Sequence, residues 1–417
     1  MEASRLQEIA PSFMPRPSGR WTYHPSPLPD ESLSSWLYRV ALGNATDLYL
    51  FSLNNWPHLA PSMWHRDVDR LSLPEVIESL AKGTGTDLRR ARETGLSSFE
   101  DIIFEKIDPT SKVPFLLRVG VRAQSRNRSG QQFCPICLSR GEVYFRRRWR
   151  LAFATSCLSH GVTLHNHCPR CGVAVAFHRT KDAHKCHSCK AKLTDAPLVD
   201  APRSLVEFEY YLDDTIVEGQ NHLGAYGLTR STFIFRALRQ ILRILSSGWR
   251  GAALREQAVS HMGIYRRQRA QAITGSLEFE MRKVSDRQYL LGLADWLLQD
   301  WPERFAHCCA EVGMWHSWAM KDGGQLPWCY VQPVRDYLFG PAYSTSVATR
   351  AKSRQPSLFP IDRTKGHGNP CSTKNVRRYE LRTRQLELPL DEIGTQADVL
   401  NLQREIRKRT VRRRPAS

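Results

Sequence analysis

Four short ligand pairs crowd into 56 residues of this chain: Cys134 with Cys137, Cys157 with His160, Cys168 with Cys171, and Cys186 with Cys189. Eleven cysteines scattered at random over 417 residues would give only about 0.3 C-x-x-C pairs, yet this segment alone holds three. Thiolate and imidazole donors in such pairs suit tetrahedral zinc, and eight donors are enough for two structural ions. Pairing in order gives one site from Cys134, Cys137, Cys157 and His160 and another from Cys168, Cys171, Cys186 and Cys189. A cross-brace, first pair with third and second with fourth, uses the same residues and stays open at this point. Either way four protein ligands leave no position for water, so the metal contributes to folding rather than to hydrolysis. Histidines 165, 167, 178, 184 and 187 complete no better set, and Cys308, Cys309, Cys329 and Cys371 read as ordinary core or loop thiols. Ligating thiols must stay reduced, which points to the cytoplasm.

Charge supplies the second constraint. Lysine and arginine number 60 against 41 acidic residues, a formal net charge of +19, so a polyanionic partner is expected. From Arg350 onward stand 17 basic and 7 acidic residues with few large apolar ones, the composition of a basic disordered tail. No run of eighteen apolar residues or secretory h-region is visible, so no membrane association is expected.

The remaining chain reads as mainly α with small zinc-ribbon β elements. A flexible proline- and serine-rich lead-in is expected over 1–25. A helical domain covers 26–120, a tandem zinc-ribbon domain 121–200, a C-terminal helical domain 201–340, and the basic disordered tail 341–417. Ser32, with Asp30, can cap a helix whose apolar residues Leu33, Trp36, Leu37, Val40 and Ala41 recur at spacings of three and four. Ser72 and Glu75 form a capping box ahead of Val76, Ile77, Leu80 and Ala81. Gly83 and Gly85 then break the run before a short helix carrying Arg89, Arg90 and Arg92. This outline suits a helix-turn-helix or a plain helical hairpin. A second such outline lies between Ala252 and Ile273, with Gly263 at the turn and Arg266, Arg267 and Arg269 on the following helix. Around Trp149 an alternating strand is expected, with Trp149, Leu151 and Phe153 on one side and Arg148 and Arg150 on the other. Arg146, Arg147, Arg148 and Arg150 therefore join Arg89, Arg90, Arg92, Arg266, Arg267 and Arg269 as candidate phosphate contacts. Apolar stripes at Phe233–Leu245 and Tyr289–Leu297 predict two helices packed on one another.

Catalytic motifs do not emerge. The chain has neither G-x-x-x-x-G-K-[ST] nor H-E-x-x-H. His165, Asn166 and His167 spell the name of a nuclease class whose motif spreads over a strand, a loop and a helix, which this string does not. No catalytic residue is assigned.

At the zinc region the chain resembles a known family. The segments FCPIC, Arg148 to Leu151, CLSHG and CPRCG, with the opening PLPDESLSSWLYRVA, are similar to the TniQ family of TnsD-related transposon target-selection proteins. In that opening the matching residues are Pro27, Leu28, Pro29, Glu31, Ser32, Leu33, Ser35, Trp36, Leu37 and Arg39. The resemblance spans about residues 25 to 195 and implies a non-enzymatic adaptor of DNA transposition. Such an adaptor recognises target DNA directly or through an RNA-guided Cascade complex with its guide RNA, and recruits an AAA+ ATPase regulator and a transposase, often as a homodimer. It also implies that the eight cysteine and histidine residues above ligate zinc. The alternative from the residues alone is a zinc-stabilised helix-turn-helix transcription regulator. Two tail strings, QPSLF with Gln355, Leu358 and Phe359, and QLELPL with Gln385, Leu388 and Leu390, resemble peptides that dock on the replication sliding clamp. Docking on this protein or on the ATPase is the competing expectation for them.

Overall fold

Ser32 opens the first helix as the apolar spacing requires: its Oγ accepts from Ser35 N at 3.3 Å, and α1 runs Leu33–Gly43. Leu33, Trp36, Leu37, Val40 and Ala41 are wholly buried along it. The computed structural model describes residues 19–338 apart from 109–110, 120–128, 142, 263–272, 274–276 and 322. Short helices follow: α2 (Leu48–Asn55), α3 (Ala60–Met63), α4 (Val68–Leu71), α5 (Pro74–Thr84) and α6 (Leu88–Arg92). The zinc segment contains α7 (Pro135–Ser139), three single 3₁₀ turns (Arg148–Arg150, Phe177–Arg179 and Leu193–Asp195) and isolated bridges. Then come α8 (Arg203–Glu218), α9 (Ser231–Ser246), α10 (Gly248–His261), α11 (Val284–Gln299), α12 (Glu303–Glu311), α13 (His316–Ala319) and α14 (Trp328–Tyr337).

Three local expectations are corrected. Ser72 does not cap α5. It adopts the left-handed conformation with φ 44°, Leu73 precedes the helix, and Pro74 starts it, its fixed φ and missing N–H suiting the first turn. Arg148 to Arg150 form a single 3₁₀ turn rather than a strand, and both sides of it are buried. The end of the lead-in is packed: Trp21 N donates to Gly83 O at 2.9 Å, and the Trp21 ring meets Phe51 edge-on at 5.0 Å. Gly83 is required there, since a Cβ would lie 2.5 Å from the Trp21 ring. The hairpin of β1 (Gln220–His222) and β2 (Leu228–Arg230), antiparallel with Asn221 opposite Thr229, interrupts the helical half where no hairpin is foreseen.

Burial divides the described residues into two apolar cores. One joins α1, α2 and α5 to both zinc modules through residues such as Trp36, Phe145, Trp149 and Phe177. The other joins 96–117 and 151–154 to the C-terminal helices around Phe115, Phe153, Phe235 and Trp301. The zinc modules thus share a core with the amino-terminal helices, and the chain enters the second core three times, at 96, 151 and 205. In α11, which packs on α8 and α9, Asp295 is buried with Gln299 Nε2 3.3 Å from its Oδ2. Burial, with Glu207 nearby, pushes the Asp295 carboxyl up to about 7. Between its ordinary value and about 7 the folded protein holds a proton that the unfolded chain has released, so this group lowers stability as pH rises through that window. Asp295→Asn is therefore expected to stabilise the protein by on the order of 4 kcal/mol at about pH 8.5 and by less than half of that at about pH 5. Urea midpoints of both proteins at the two pH values check this. A gain that does not depend on pH would refute it.

Candidate metal centres and basic surface

The first ligand pair sits on a helix start. Cys134 is the N-cap of α7, Pro135 follows at the first turn, and the Cys134 sulfur accepts from Cys137 N at 3.5 Å. The other three pairs share one turn. Cys157, Cys168 and Cys186 each donate their N–H to a carbonyl five residues on, Val162, Val173 and Ala191, at 2.8 Å. The residue four on, Gly161, Gly172 or Lys190, bonds back to the cysteine carbonyl with φ of 61° to 69°. Two glycines take that left-handed conformation without strain, and Lys190 takes it at a cost. Each turn leaves two donors facing the same point.

The pairs meet in sequence order, which removes the cross-brace. Cys137 Sγ lies 3.6 Å from Cys157 Sγ, and His160 Nδ1 lies 3.3 to 3.6 Å from the sulfurs of Cys134, Cys137 and Cys157. In the second set Cys168 and Cys189 are 3.6 Å apart and Cys171 and Cys186 3.7 Å. A zinc ion with Zn–S bonds of about 2.3 Å would sit in a tetrahedron whose sulfur–sulfur edge is about 3.7 Å, so both donor sets fit the ion without rearrangement. These are two closed zinc sites, the first built from three cysteines and a histidine and the second from four cysteines. Bound zinc holds the cysteines as thiolates and ties each hairpin to its neighbour. The first site is largely buried; in the second, Cys171 is exposed. The five additional histidines join neither site: His165 Nε2 lies 2.8 Å from Pro197 O, and His178 stacks on Trp64. Cys308, Cys309 and Cys329 are buried in the second core, and Cys371 lies outside the described residues.

A family model described as TniQ matches residues 22–164. That span takes in the opening signature and the whole first zinc site and ends before Cys168. The chain carries a TniQ domain. No curated protein matches it. Within the TniQ domain the signature residues are structural partners of the first zinc module. Glu31 receives both Arg39 Nε and Nη2 at 2.8 Å, Ser35 Oγ at 3.0 Å and Leu28 N at 2.9 Å, all away from solvent. Ser35 Oγ in turn accepts from Phe145 N, and Ser32 N donates to Phe145 O, each at 2.9 Å. Trp36 donates its indole N–H to Pro25 O at 2.8 Å. The signature thus encodes a buried bracket that docks α1 against the segment between the first two ligand pairs. The match supports a transposition-associated target-selection role. Among the described residues no helix is long and apolar enough to cross a membrane.

The basic residues divide sharply. Arg148 is buried with Nη2 2.8 Å from Glu209 Oε2 and Nε 3.1 Å from Asp213 Oδ1, and these carboxylates hold its guanidinium well above the usual arginine value despite its burial. Arg150 is buried between Asp67 and Asp69, with Nη1 3.0 Å from Asp69 Oδ2. Neither guanidinium faces solvent, so the phosphate-contact reading fails for both. Their positive charge is spent on carboxylates that the linear sequence keeps 61 to 83 residues away. Arg147 is half-buried against Asp30, Ser98 Oγ and the Phe99 ring, and Arg146 lies over the Tyr144 and Trp149 rings. Arg89 and Arg92 remain exposed on α6 in loose pairs with Glu93 and Glu78, and the guanidinium of exposed Arg90 donates to Pro27 O at 2.7 Å. Asp87 caps α6, which has only five residues. Arg266, Arg267 and Arg269 of the second helix-turn-helix outline lie outside the described residues, as do Gln355, Leu358, Phe359, Gln385, Leu388 and Leu390.

Proposed function

We propose that this protein is a non-enzymatic target-selection adaptor of DNA transposition, which engages target DNA, directly or through a Cascade complex with its guide RNA, and recruits an AAA+ ATPase regulator and through it the transposase. The observation that carries the reading is the TniQ domain, with its signature and complete first zinc site in one core. Two closed sites give the protein rigid modules and leave the metal no vacant position for substrate. The net charge of +19 suits a nucleic-acid partner. In this reading Arg89 and Arg92, with Arg266, Arg267, Arg269 and the basic tail, supply phosphate contacts, and the tail strings dock on the ATPase or on the sliding clamp. A homodimer is compatible with it.

Duplex DNA binding should weaken about ten-fold or more over a several-fold rise in salt, because each neutralised phosphate releases counterions. Arg89→Ala with Arg92→Ala should lower the logarithmic salt slope by about two if both touch phosphates, with no loss of thermal stability. Fluorescence anisotropy over a salt series measures both effects. A flat profile for the full chain would refute direct DNA binding. Failure of the protein to capture an AAA+ transposition regulator from its own genome, with and without DNA, would favour the transcription-regulator reading.

A further inference from the structure

Away from both zinc modules, α10 and α12 bring three ligating side chains together. His307 and Glu311 stand four residues apart on one face of α12, and His261 closes α10 opposite them. His261 Nε2 is 2.6 Å from Glu311 Oε2, His307 Nε2 is 3.1 Å from Glu311 Oε1, and the donor atoms of all three lie within 4.8 Å of one another. The surroundings hold two of these groups in place. Gln257 Nε2 donates to Glu311 Oε2 at 2.8 Å, and the Trp296 ring lies nearly parallel to His261 with centroids 6.3 Å apart. The carbonyl end of α10 adds the negative pole of a helix dipole beside His261. Surface ion pairs need one acid and one base. Here two imidazoles from different helices converge on one carboxylate, and the Gln257 amide nitrogen, 2.8 Å from Glu311 Oε2 and 3.0 Å from His261 Nε2, orients both ligand atoms until an ion takes its place.

We propose that His261, His307 and Glu311 form a third metal site, which takes a divalent transition ion of the zinc class and cross-links α10 to α12. It differs from the two cysteine sites in kind. Two nitrogens and a carboxylate give three protein ligands and leave the fourth position to water or to an incoming donor. All three side chains are partly solvent-accessible, so the ion can exchange while the thiolate-bound pair stays in place. Its ligands are harder than thiolate, so cobalt(II) should enter it without displacing zinc from the cysteines.

The test uses the full chain with both cysteine sites filled by zinc and washed free of loose metal. Added cobalt(II) should bind one further equivalent, with visible ligand-field bands and no intense near-ultraviolet thiolate charge-transfer band. Zinc should compete it off, and metal analysis should then count three ions. In His261→Ala with His307→Ala the third equivalent should weaken by more than about ten-fold while two zinc ions and the circular dichroism spectrum are retained. The same double variant should lose any zinc-dependent rise in melting temperature. Two ions at saturating zinc in the wild-type chain, a third ion that survives undiminished in the double variant, or a cobalt spectrum carrying the thiolate band would each overturn the proposal.

Discussion

Cys134→Ser is expected to melt the whole amino-terminal core together with the first zinc site. The Cys134 sulfur is buried and shares an apolar cluster with Leu33, Trp36, Trp149 and Phe177, and Cys157, Cys168 and Cys186 line the same cluster. Structural zinc in small modules contributes roughly 10–16 kcal/mol of apparent binding energy, which equals or exceeds the roughly 5–15 kcal/mol that keeps an ordinary domain folded. Serine is a poor zinc ligand, so loss of the ion removes the tie between Cys137 and the Cys157–His160 turn. The Glu31–Ser35–Phe145 bracket then has nothing to dock against. Near-ultraviolet circular dichroism should lose the signal of the buried tryptophans 36, 56 and 149, and metal analysis should fall below two ions per chain. Cys171→Ser, at the exposed edge of the second site, should cost less and leave the first site filled. A Cys134→Ser protein with an intact tryptophan signal would show that the first ion is dispensable for this core.

Local sequence pattern carried the ligand pairs, α1, α9 and α11, because each depends on spacing within one turn or one helix face. The burial of Trp36 follows from the same stripe. Sequence leaves the order of the ligand pairs open, since sequential and cross-braced sites use the same eight residues, and only the folded turns decide it. The arginines around Trp149 misled for a physical reason: a guanidinium reads as a phosphate ligand only if its neighbours in space are not acids. Glu209 and Asp213 come from α8, and Asp67 and Asp69 from the start of α4, none of them near the basic run in sequence. His307 and Glu311 had a legible signal in their spacing of four on a helix, whereas His261 has none, because only packing of α10 on α12 brings it in. The hairpin between α8 and α9 is short and lacks an alternating apolar pattern, so nothing local distinguishes it from a loop.

Arg148→Ala should destabilise the protein by about 3–5 kcal/mol, chiefly by stranding Glu209. That carboxylate is fully buried and accepts Thr155 N at 2.9 Å, Thr155 Oγ1 at 2.6 Å and Ser156 N at 3.0 Å as well as the Arg148 guanidinium. The neutral donors remain in the variant, but they cannot balance a full charge kept from water. Nearby, Arg287, also buried, donates to Gln132 Oε1 at 2.9 Å and to Ala152 O, and burial lowers it to about 10. These contacts lie where the chain passes from the zinc-bearing core into the helical core, so the expected damage is loss of coupling between the cores. Denaturant unfolding followed separately by tryptophan signal and by helical signal should change from one transition to two. Arg148→Met with Glu209→Gln removes both charges and should recover much of the lost stability, since the penalty comes from the stranded charge rather than from the missing pair. If the double variant were as unstable as Arg148→Ala, the Asp213 contact or the packing of the arginine stem would have to carry the effect instead.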